Sequence, residues 1–335
     1  MNDCILTVLI LAYNHEQYIR QTLDGVLNQK TSFRFKILIT DDASTDRTEA
    51  IIREYIDNYP NKIIPVFNSK NIGLNPTLKI AFPLIDTKYT CLLGGDDYWI
   101  DEYKIEKEVG YLEAHPDTSY VHTGLKRWIE DKNCWGANVN HWVWKMPKDR
   151  KKRLVSFLNN DFTYYPCAST CCYRTDILIK CNNTYPQLLD LTVGEGTLLH
   201  VSMCMYGEKF HYIPDITTVY RVRNNSLSHN TNIRQLLKYK MRYPKTKIMI
   251  FKLFNIDVKH NRHVIYNNLD DVLAFSYSNK SLESFHKELL TYEIDNVFKN
   301  RYLIITSNYI FSYAYMKCLS IKRLIQHLIN KYFCG

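Results

Sequence analysis

The sequence predicts an α/β domain built on a mixed, mostly parallel central sheet flanked by helices, with a mainly helical extension at the C-terminus. Apolar, β-rich runs alternate with segments of helical periodicity over residues 1–230, which is the pattern of βα units joined by right-handed crossovers. Three of these runs end in polar or acidic residues, near Asn14, Asp42 and Asp97. We therefore assign residues 1–231 to a globular domain and the basic, tyrosine-rich residues 232–335 to a helical region.

The individual elements follow from these patterns in chain order. Strands are predicted at residues 6–14, 35–40, 63–67, 89–93, 119–122, 168–173 and 213–220. Helices are predicted at residues 15–29 and 101–115, from Ser44 or Asp46 to Pro60, from Asn75 onward, after Asp176, and between Gly196 and Gly207. From Lys126 to Arg153 the periodicity fades, which predicts a loop, a lid or part of an acceptor surface.

The stretch from Leu92 to Trp99 places two adjacent carboxylates, Asp96 and Asp97, at the end of a buried strand. Carboxylate oxygens are the ligands that Mg²⁺ and Mn²⁺ prefer in proteins, so one interpretation is a metal site. The alternative is a turn whose aspartates cap the following helix. Because ligands bind outside the carboxyl ends of parallel strands, we expect this pair to share one crevice with Tyr13 and Asp42.

Positive charge is concentrated in the C-terminal region. Residues 231–335 contain 17 Lys and Arg against 7 Asp and Glu, whereas the net formal charge of the whole chain is +9. Such a segment predicts an anionic partner, unless it is a solvated helical face. A helix predicted over Lys317–Phe333 has one apolar face, which suits peripheral contact with an anionic membrane, packing on the preceding helices, or a second subunit in a homo-oligomer. Because this region carries no recognised RNA- or DNA-binding motif, no nucleic-acid partner is expected.

Targeting and redox features point to the cytoplasm. Met1 leads directly into the first predicted strand without a basic, signal-like segment, and the longest uncharged stretch near the end, residues 302–316, is shorter than the ~20 apolar residues of a membrane span. The ten cysteines are scattered without a CxxC spacing, as expected of reduced thiols. We therefore expect a cytoplasmic protein, peripheral at most on the inner face of a membrane.

Six short motifs follow one another over about the first 230 residues. They are Leu11-Ala12-Tyr13-Asn14-His15-Glu16, Asp41-Asp42-Ala43-Ser44-Thr45-Asp46, Asn71-Ile72-Gly73, Gly95-Asp96-Asp97-Tyr98-Trp99, Gly194-Glu195 and Tyr220-Arg221. In these motifs and their order the chain resembles glycosyltransferase family 2, the inverting enzymes with the GT-A nucleotide-sugar fold.

The resemblance implies transfer of a hexosyl or N-acetylhexosaminyl group from a nucleoside-diphosphate sugar, UDP rather than dTDP or GDP, to a saccharide or lipid-linked acceptor. It implies that Asp97, with Asp96, holds Mn²⁺ or Mg²⁺, and that Glu195 is the catalytic base. The alternative role of Glu195 is to stabilise a helix N-terminus. The nucleotide-sugar contacts that it implies are Ala12, Tyr13, Asn14, Glu16, Asp42, Asn71, Lys79, Gly95, Asp96, Arg221 and Arg223.

Three positions depart from the family pattern. Many members have an acidic residue where this chain has Gly94, and an arginine common after the Asn71 motif is replaced by Leu78, with Lys79 beside it. A histidine often found after the Tyr-Arg pair is Arg223 here, with His229 nearby. These departures concern the metal ligands and the pyrophosphate contacts.

Two other functions compete with this one. A nucleotidyltransferase also uses paired aspartates, but it needs a glycine-rich, basic phosphate loop after the first strand, and Ala12-Tyr13-Asn14-His15 is neither. A non-catalytic nucleotide-sugar or membrane-binding module is the second alternative, and Gly94 and Arg223 are the residues that favour it. Slow hydrolysis of the donor distinguishes an enzyme from such a module.

Overall fold

The computed structural model describes residues 4–191, 194–224, 226, 231–291, 296–307 and 311–321, without the side chains of residues 195, 291 and 297. Contacts between residues divide the chain into two units, residues 1–223 and residues 224–335. The boundary predicted from sequence lies eight residues later, between residues 231 and 232.

A sheet of nine strands forms the centre of the first unit, in the order β3-β2-β1-β4-β8-β6-β9-β5 with β7 paired to β6, within the described residues. The strands are β1 Cys4–Ala12, β2 Arg34–Asp41, β3 Ile63–Phe67, β4 Tyr89–Gly94, β5 Tyr98–Trp99, β6 Thr118–Ile129, β7 Cys134–Trp135, β8 Cys171–Arg174 and β9 Lys209–Val222. Strands β3, β2, β1 and β4 are all parallel, and β6 pairs in parallel with β9. Antiparallel pairs join β4 to β8, β8 to β6, β6 to β7 and β9 to β5.

Seven α-helices connect these strands in the described part of the first unit. They are α1 Ile19–Leu27, α2 Thr48–Asn58, α3 Leu74–Ala81, α4 Lys104–Ala114, α5 Arg150–Leu158, α6 Thr175–Thr184 and α7 Glu195–Tyr206. Helix α1 buries Ile19, Leu23 and Val26, which recur at helical spacing, against a core that includes β1. Fully buried side chains of Leu6, Val8 and Ile10 fill the inner face of that strand.

The apolar runs located the strands of the parallel half within one or two residues. Strands β1, β2 and β4 are largely buried on both faces, which gives near-continuous apolar runs, whereas the edge strand β3 is partly exposed. Helix α1 begins later than expected, since residues 15–18 form a turn. The largest difference lies in the region expected to be a loop: β6 continues through residue 129, β7 pairs with it, and α5 follows. Helix α5 was missed because its first turn is entirely basic, although Arg153 is buried and donates to the Gly207 carbonyl at 2.8 Å.

The second unit is helical in its described residues. Its helices are α8 Ile233–Leu253, α9 Arg262–Ser278, α10 Leu282–Thr291 and α11 Asn296–Thr306, and residues 311–321 are also helical. A hydrogen-bond network lies inside it, because Asp270 Oδ1 accepts from the hydroxyls of Tyr302 and Tyr315 at 2.5 and 2.7 Å. Most of the helix predicted over Lys317–Phe333, including Leu324, Ile325, Leu328, Ile329 and Tyr332, lies outside the described residues.

None of the described helices is both long enough and apolar enough to span a membrane.

Candidate active site

The carboxyl ends of β1, β2 and β4 lie side by side, as their parallel pairing requires. The Leu11 carbonyl accepts a hydrogen bond from Gly95 N at 2.8 Å, and the Ala12 carbonyl accepts one from Asp42 N at 3.0 Å. Tyr13, the next residue, is 42% exposed. The three strand ends that the sequence singled out therefore border one edge of the sheet, with an aromatic ring available to solvent beside them.

The loops after β1 and β2 are held together by short polar side chains. Asn14 adopts a left-handed backbone conformation (φ 54°), its N–H donates to Ser44 Oγ at 2.9 Å, and its Oδ1 accepts from Thr45 N at 2.8 Å. Glu16 Oε2 accepts from Arg47 N at 2.9 Å. Asn14 and Glu16, both predicted to contact the nucleotide sugar, thus fix the shape of this rim in the structure.

Asp42 organises the loop that follows β3. Its Oδ1 accepts from Asn68 Nδ2 and Ile72 N at 2.8 and 2.9 Å, and its Oδ2 accepts from Gly73 N at 2.8 Å. A carboxylate oxygen has two lone pairs, and Gly73 N is the one donor to Oδ2 among the described residues, so one lone pair is left for a further donor. Asn71 lies in this loop and is exposed.

Two positions after this loop differ in environment. Lys79, in α3, forms an exposed ion pair with Asp190, which lies in the segment before α7. Leu78, at the position where many family members carry an arginine, is fully buried. A guanidinium at that position would be desolvated in the core, which explains why this chain has an apolar residue there.

The two adjacent aspartates occupy different environments. The Asp97 carboxylate is buried, with Oδ2 accepting from the Ser169 hydroxyl at 2.6 Å and Oδ1 accepting from Arg221 N at 3.0 Å. Burial, and next the negative charge of Asp96, raise the pKa of Asp97 well above its ordinary value. The Asp96 side chain is 19% exposed. Of the pair, Asp96 is the carboxylate that a soluble ligand can reach.

Two arginines from the end of β9 lie against the acidic pair. Arg223 donates from Nε and Nη2 to Asp96 Oδ2 at 2.9 and 2.5 Å. Arg221 donates from Nη1 to the Asp96 carbonyl at 2.5 Å and from Nη2 to Gln21 Oε1. Both guanidinium carbons lie 4.9 Å from the centroid of the Tyr18 ring. Stacking on one ring fixes two cations at this edge of the sheet.

A half-buried histidine completes the group. His15 Nε2 lies 3.2 Å from Arg223 Nη2, and burial lowers the pKa of His15 to about 4, an effect that the Asp96 charge opposes and the Arg223 charge supports. The imidazole is therefore neutral near pH 7. A Cβ on Gly95 would lie 2.6 Å from His15 Nδ1, so a residue without a side chain is required for the acidic turn to approach His15.

The acceptor side of the site is described in part. Helix α7 begins at Glu195, whose side chain lies outside the described part of the structure. A Cβ on the next residue, Gly196, would lie 3.6 Å from Ala168 Cβ, and Ser169 donates to Asp97. The start of α7 therefore lies beside the segment that holds the acidic pair.

The sequence did not identify Tyr18, Gln21 and Ser169 as residues of this site. It placed His15 in a motif but did not predict its contact with Arg223. Tyr18 and Gln21 lie three residues apart around the start of α1, so their helical spacing was a usable signal for a shared face. Ser169 gave no such signal, because it meets Asp97 across 72 residues of chain.

The residues present fit a divalent cation at one carboxylate. Oδ1 of Asp96 accepts no hydrogen bond from any residue that the structure describes, and Mg²⁺ is commonly held by one or two carboxylates together with substrate phosphates. A second cluster, Cys91, Glu108 and Cys172, also gathers ligand atoms within 4.8 Å. Lys104 Nζ lies 2.6 Å from Glu108 in that cluster, and all of it is buried, so we assign it to the core.

Comparison with known proteins gives consistent results. The family model described as glycosyl transferase family 2 matches residues 7–177. An uncharacterized protein of Mycobacterium tuberculosis is 41% identical over 126 residues, which are 38% of this chain and 36% of that protein. An uncharacterized glycosyltransferase of Haemophilus influenzae is 31% identical over 135 residues, 40% of this chain and 41% of that protein. The chain thus matches less than half the length of these relatives.

Among solved structures, Staphylococcus aureus TarS in complex with UDP-GlcNAc aligns with a TM-score of 0.54 and 16% identity. The alignment covers 85% of this chain and 80% of the TarS chain. At this identity the likeness shows the fold alone, and it confirms the α/β, GT-A-like architecture predicted from the sequence.

Proposed function

From the premise that the chain belongs to glycosyltransferase family 2, we propose that it is an inverting, metal-dependent enzyme that transfers a hexosyl or N-acetylhexosaminyl group from a UDP-sugar to a hydroxyl of a saccharide or lipid-linked acceptor. The observation that carries this proposal is the pairing of an accessible carboxylate, Asp96, with two fixed guanidinium groups, Arg221 and Arg223, beside the exposed Tyr13. These groups suit the charges of a nucleoside diphosphate.

The nucleoside half of the donor belongs at the ends of β1 and β2. In this proposal the exposed Tyr13 ring stacks on the base, and the remaining lone pair of Asp42 Oδ2 accepts the N3–H of uracil. Because Asp42 also holds the loop of residues 68–73, the same carboxylate sets the pocket wall and reads the base. Asn71, exposed in that loop, remains a candidate for a ribose contact.

The diphosphate belongs between the acidic turn and the arginines. Asp96, through Oδ1, would hold Mn²⁺ or Mg²⁺, which when bound neutralises charge on the nucleoside-diphosphate leaving group. The family resemblance implies Asp97 as the main metal ligand, whereas we propose Asp96. Both Asp97 oxygens accept hydrogen bonds from the protein, and the residue is buried. Asp97 instead fixes the backbone of Arg221, and so positions its guanidinium. Arg223 is free to exchange Asp96 for phosphate oxygens, which guanidinium groups bind in bidentate fashion.

Transfer requires a base on the acceptor side. Glu195 keeps this role in the proposal, because α7 begins beside the segment that positions Asp97. A carboxylate there deprotonates the acceptor hydroxyl as it attacks the anomeric carbon from the face opposite the diphosphate, which inverts the configuration.

The setting that we propose is assembly of a bacterial surface polysaccharide or lipooligosaccharide on the cytoplasmic face of the membrane. The surplus of basic residues after residue 231 supports contact with anionic headgroups. A homo-oligomer formed through the same region is the alternative. Liposome flotation of the full chain against a chain ending near Asn232 distinguishes them.

A panel of UDP-, dTDP- and GDP-sugars with Mn²⁺, scored by nucleotide release, tests the activity. We expect slow hydrolysis of one UDP-sugar that is lost in Asp96→Ala. A non-catalytic binding module, which the Arg223 and Asp96 pair also suits, would bind UDP and release no nucleotide from any donor. No UDP binding with or without metal would contradict both functions.

A further inference from the structure

Two tryptophans form an aromatic pair on the hairpin of β6 and β7, in which Trp135 is exposed and Trp128 is half-buried. Trp128 and Trp135 lie directly opposite each other in the antiparallel pairing, with ring centroids 4.9 Å apart at an interplanar angle of 69°. Trp135 is 53% exposed, and Lys126 Nζ lies 4.6 Å from its ring centroid. We call Lys126, Trp128 and Trp135 the tryptophan platform.

The platform shares a sheet face with the proposed diphosphate site. Strand β6 runs parallel to β9 in a register that pairs Trp128 with Arg221 and Lys126 with Val219. Directly paired residues project to the same face of a sheet, and Trp135 pairs with Trp128 in turn. Arg221 and the two indoles therefore lie on one face of adjacent strands.

A carboxylate that follows β6 lies close to the arginine. Glu130, two residues after Trp128, has Oε2 3.9 Å from Arg221 Nε. This oxygen is buried and has no hydrogen-bond partner among the described residues. An acceptor oxygen placed there without a donor is a feature of binding sites, since a buried polar atom that stays unpaired costs free energy.

The sheet order identifies which part of a substrate reaches the platform. Tyr13 and Asp42 lie at the ends of β1 and β2, whereas β6 is separated from β1 by β4 and β8. A donor whose base lies on Tyr13 and whose diphosphate lies at Asp96, after β4, extends its sugar toward β6 and β9. The platform is therefore on the sugar and acceptor side of the site, away from the base.

The chemistry of the platform suits a pyranose ring. Sugars present a face of C–H groups, which packs on an aromatic ring, and a rim of hydroxyls, which bind charged or polar side chains. Trp135 supplies the ring, Lys126 supplies a donor 4.6 Å from the centroid of that ring, and Glu130 supplies an acceptor near Arg221. A lone exposed aromatic residue needs no explanation, but a pair continuous with a charged site marks a binding surface.

We propose that the tryptophan platform binds a pyranose ring of the saccharide acceptor, which rests on the proposed glycosyltransferase function. The platform is thus an acceptor-specificity site on the β6–β7 hairpin, in the region where the sequence carried no readable periodicity. Binding of UDP and donor hydrolysis by the wild-type chain test the proposed function independently of it.

Saturation-transfer-difference NMR tests the platform. The full chain, saturated with UDP and Mn²⁺, is mixed with methyl glucoside, methyl galactoside, N-acetylglucosamine, maltose and lactose as probes. We expect C–H signals from at least one sugar, weakened about tenfold in Trp135→Ala, as truncation of a central interface ring does. Trp135→Phe, which keeps a ring, retains most of the signal.

Tyr59→Ala is the matched control, because Tyr59 is an exposed aromatic residue at the end of α2. It should leave the sugar signals unchanged. The proposal is overturned if no sugar gives a signal with the wild-type chain, if Trp135→Ala gives the same signals, or if Tyr59→Ala loses them equally. Normal UDP binding alongside any of these results would leave the proposed function standing.

Discussion

Arg223 donates two hydrogen bonds to a single oxygen of Asp96, Oδ2, from Nε at 2.9 Å and from Nη2 at 2.5 Å. Arg223 stands where the family resemblance leads one to expect a histidine. A histidine is a neutral metal ligand, whereas a guanidinium is permanently charged and cannot bind a metal. The substitution therefore exchanges a ligand for a resident cation beside the carboxylate that we assign to the metal.

Arg223→Ala should weaken UDP binding in the presence of EDTA by about tenfold or more, because a charge-assisted hydrogen bond contributes about 1.5–3 kcal/mol. Saturating Mn²⁺ should restore part of the affinity, since Asp96 is then free of its counter-ion. Isothermal titration calorimetry with UDP measures both values. Arg34→Ala, which removes the same charge at the opposite end of β2, is the control. An equal loss of UDP affinity in both variants would show that the effect comes from net charge alone.

Replacing each aspartate by alanine should separate their roles. Asp96→Ala should abolish the Mn²⁺-dependent part of UDP binding and change the free energy of unfolding little. Asp97→Ala should lower that free energy by about 1–3 kcal/mol, because Ser169 Oγ and Arg221 N lose a buried acceptor. Urea denaturation and calorimetry give the two quantities. If an Asp97→Ala variant of unchanged stability lost the Mn²⁺-dependent part of UDP binding, Asp97 would be the metal ligand.

The difference between these two aspartates marks the limit of what the sequence could predict. The strand end and the acidic pair were visible, because an apolar run that stops at two carboxylates is a local pattern. Which carboxylate faces inward was not visible. It depends on Ser169 and Arg221, which meet Asp97 across 72 and 124 residues of chain. Arg221 and Arg223 were found by motif, but their stacking on Tyr18 follows from the fold alone.

Gly95→Ala should lower the free energy of unfolding by about 1–3 kcal/mol, the usual cost of overpacking. Its Cβ would lie 2.6 Å from His15 Nδ1 and 3.0 Å from the Leu11 carbonyl. Gly110→Ala is the matched control, because a Cβ there meets nothing within 4 Å and lies on an exposed position of α4. The free energy of unfolding of this control should rise by about 0.8–1 kcal/mol, because alanine has a higher helix propensity than glycine. Thermal and urea unfolding measure both changes. A higher free energy of unfolding in Gly95→Ala would contradict the close packing of Gly95 against His15 and Leu11.

A buried pair of ionisable side chains in the core of the first unit should make stability depend on pH. Lys104 Nζ donates to Glu108 Oε2 at 2.6 Å, and neither side chain is exposed. Burial raises the pKa of Glu108 to about 7 from an ordinary 4.5. Between these values the folded state keeps a proton that the unfolded state has lost. The contribution of Glu108 is therefore complete below pH 4.5 and is lost as pH rises through about 7.

The free energy of unfolding of the wild-type chain should accordingly fall between pH 5 and 7, relative to Lys104→Met/Glu108→Leu, by up to about 1.4 kcal/mol per pH unit. The double variant lacks both charges, so it lacks this slope. The pKa of Lys104 is raised, and its own contribution is lost only as pH rises beyond its ordinary value of 10.5. Urea titrations at several pH values measure the dependence of the free energy of unfolding on pH. Parallel curves for the wild type and the double variant would show that folding does not change the protonation of Glu108 in this range.

Glu195→Gln should retain donor binding and lose most transfer. Glutamine keeps the size of the side chain at the start of α7, but it cannot take up the proton of the acceptor hydroxyl, and general-base catalysis typically contributes 10²–10⁴-fold. We therefore expect UDP affinity within about twofold of the wild type, which is less than 0.5 kcal/mol, together with a fall in transfer of at least about a hundredfold. Glu208→Gln, the same change just after α7, is the control. If Glu195→Gln turns over normally, the base lies elsewhere. Glu130 would then be the first carboxylate to test, because its Oε2 lies 3.9 Å from Arg221 Nε and accepts no hydrogen bond from the described residues.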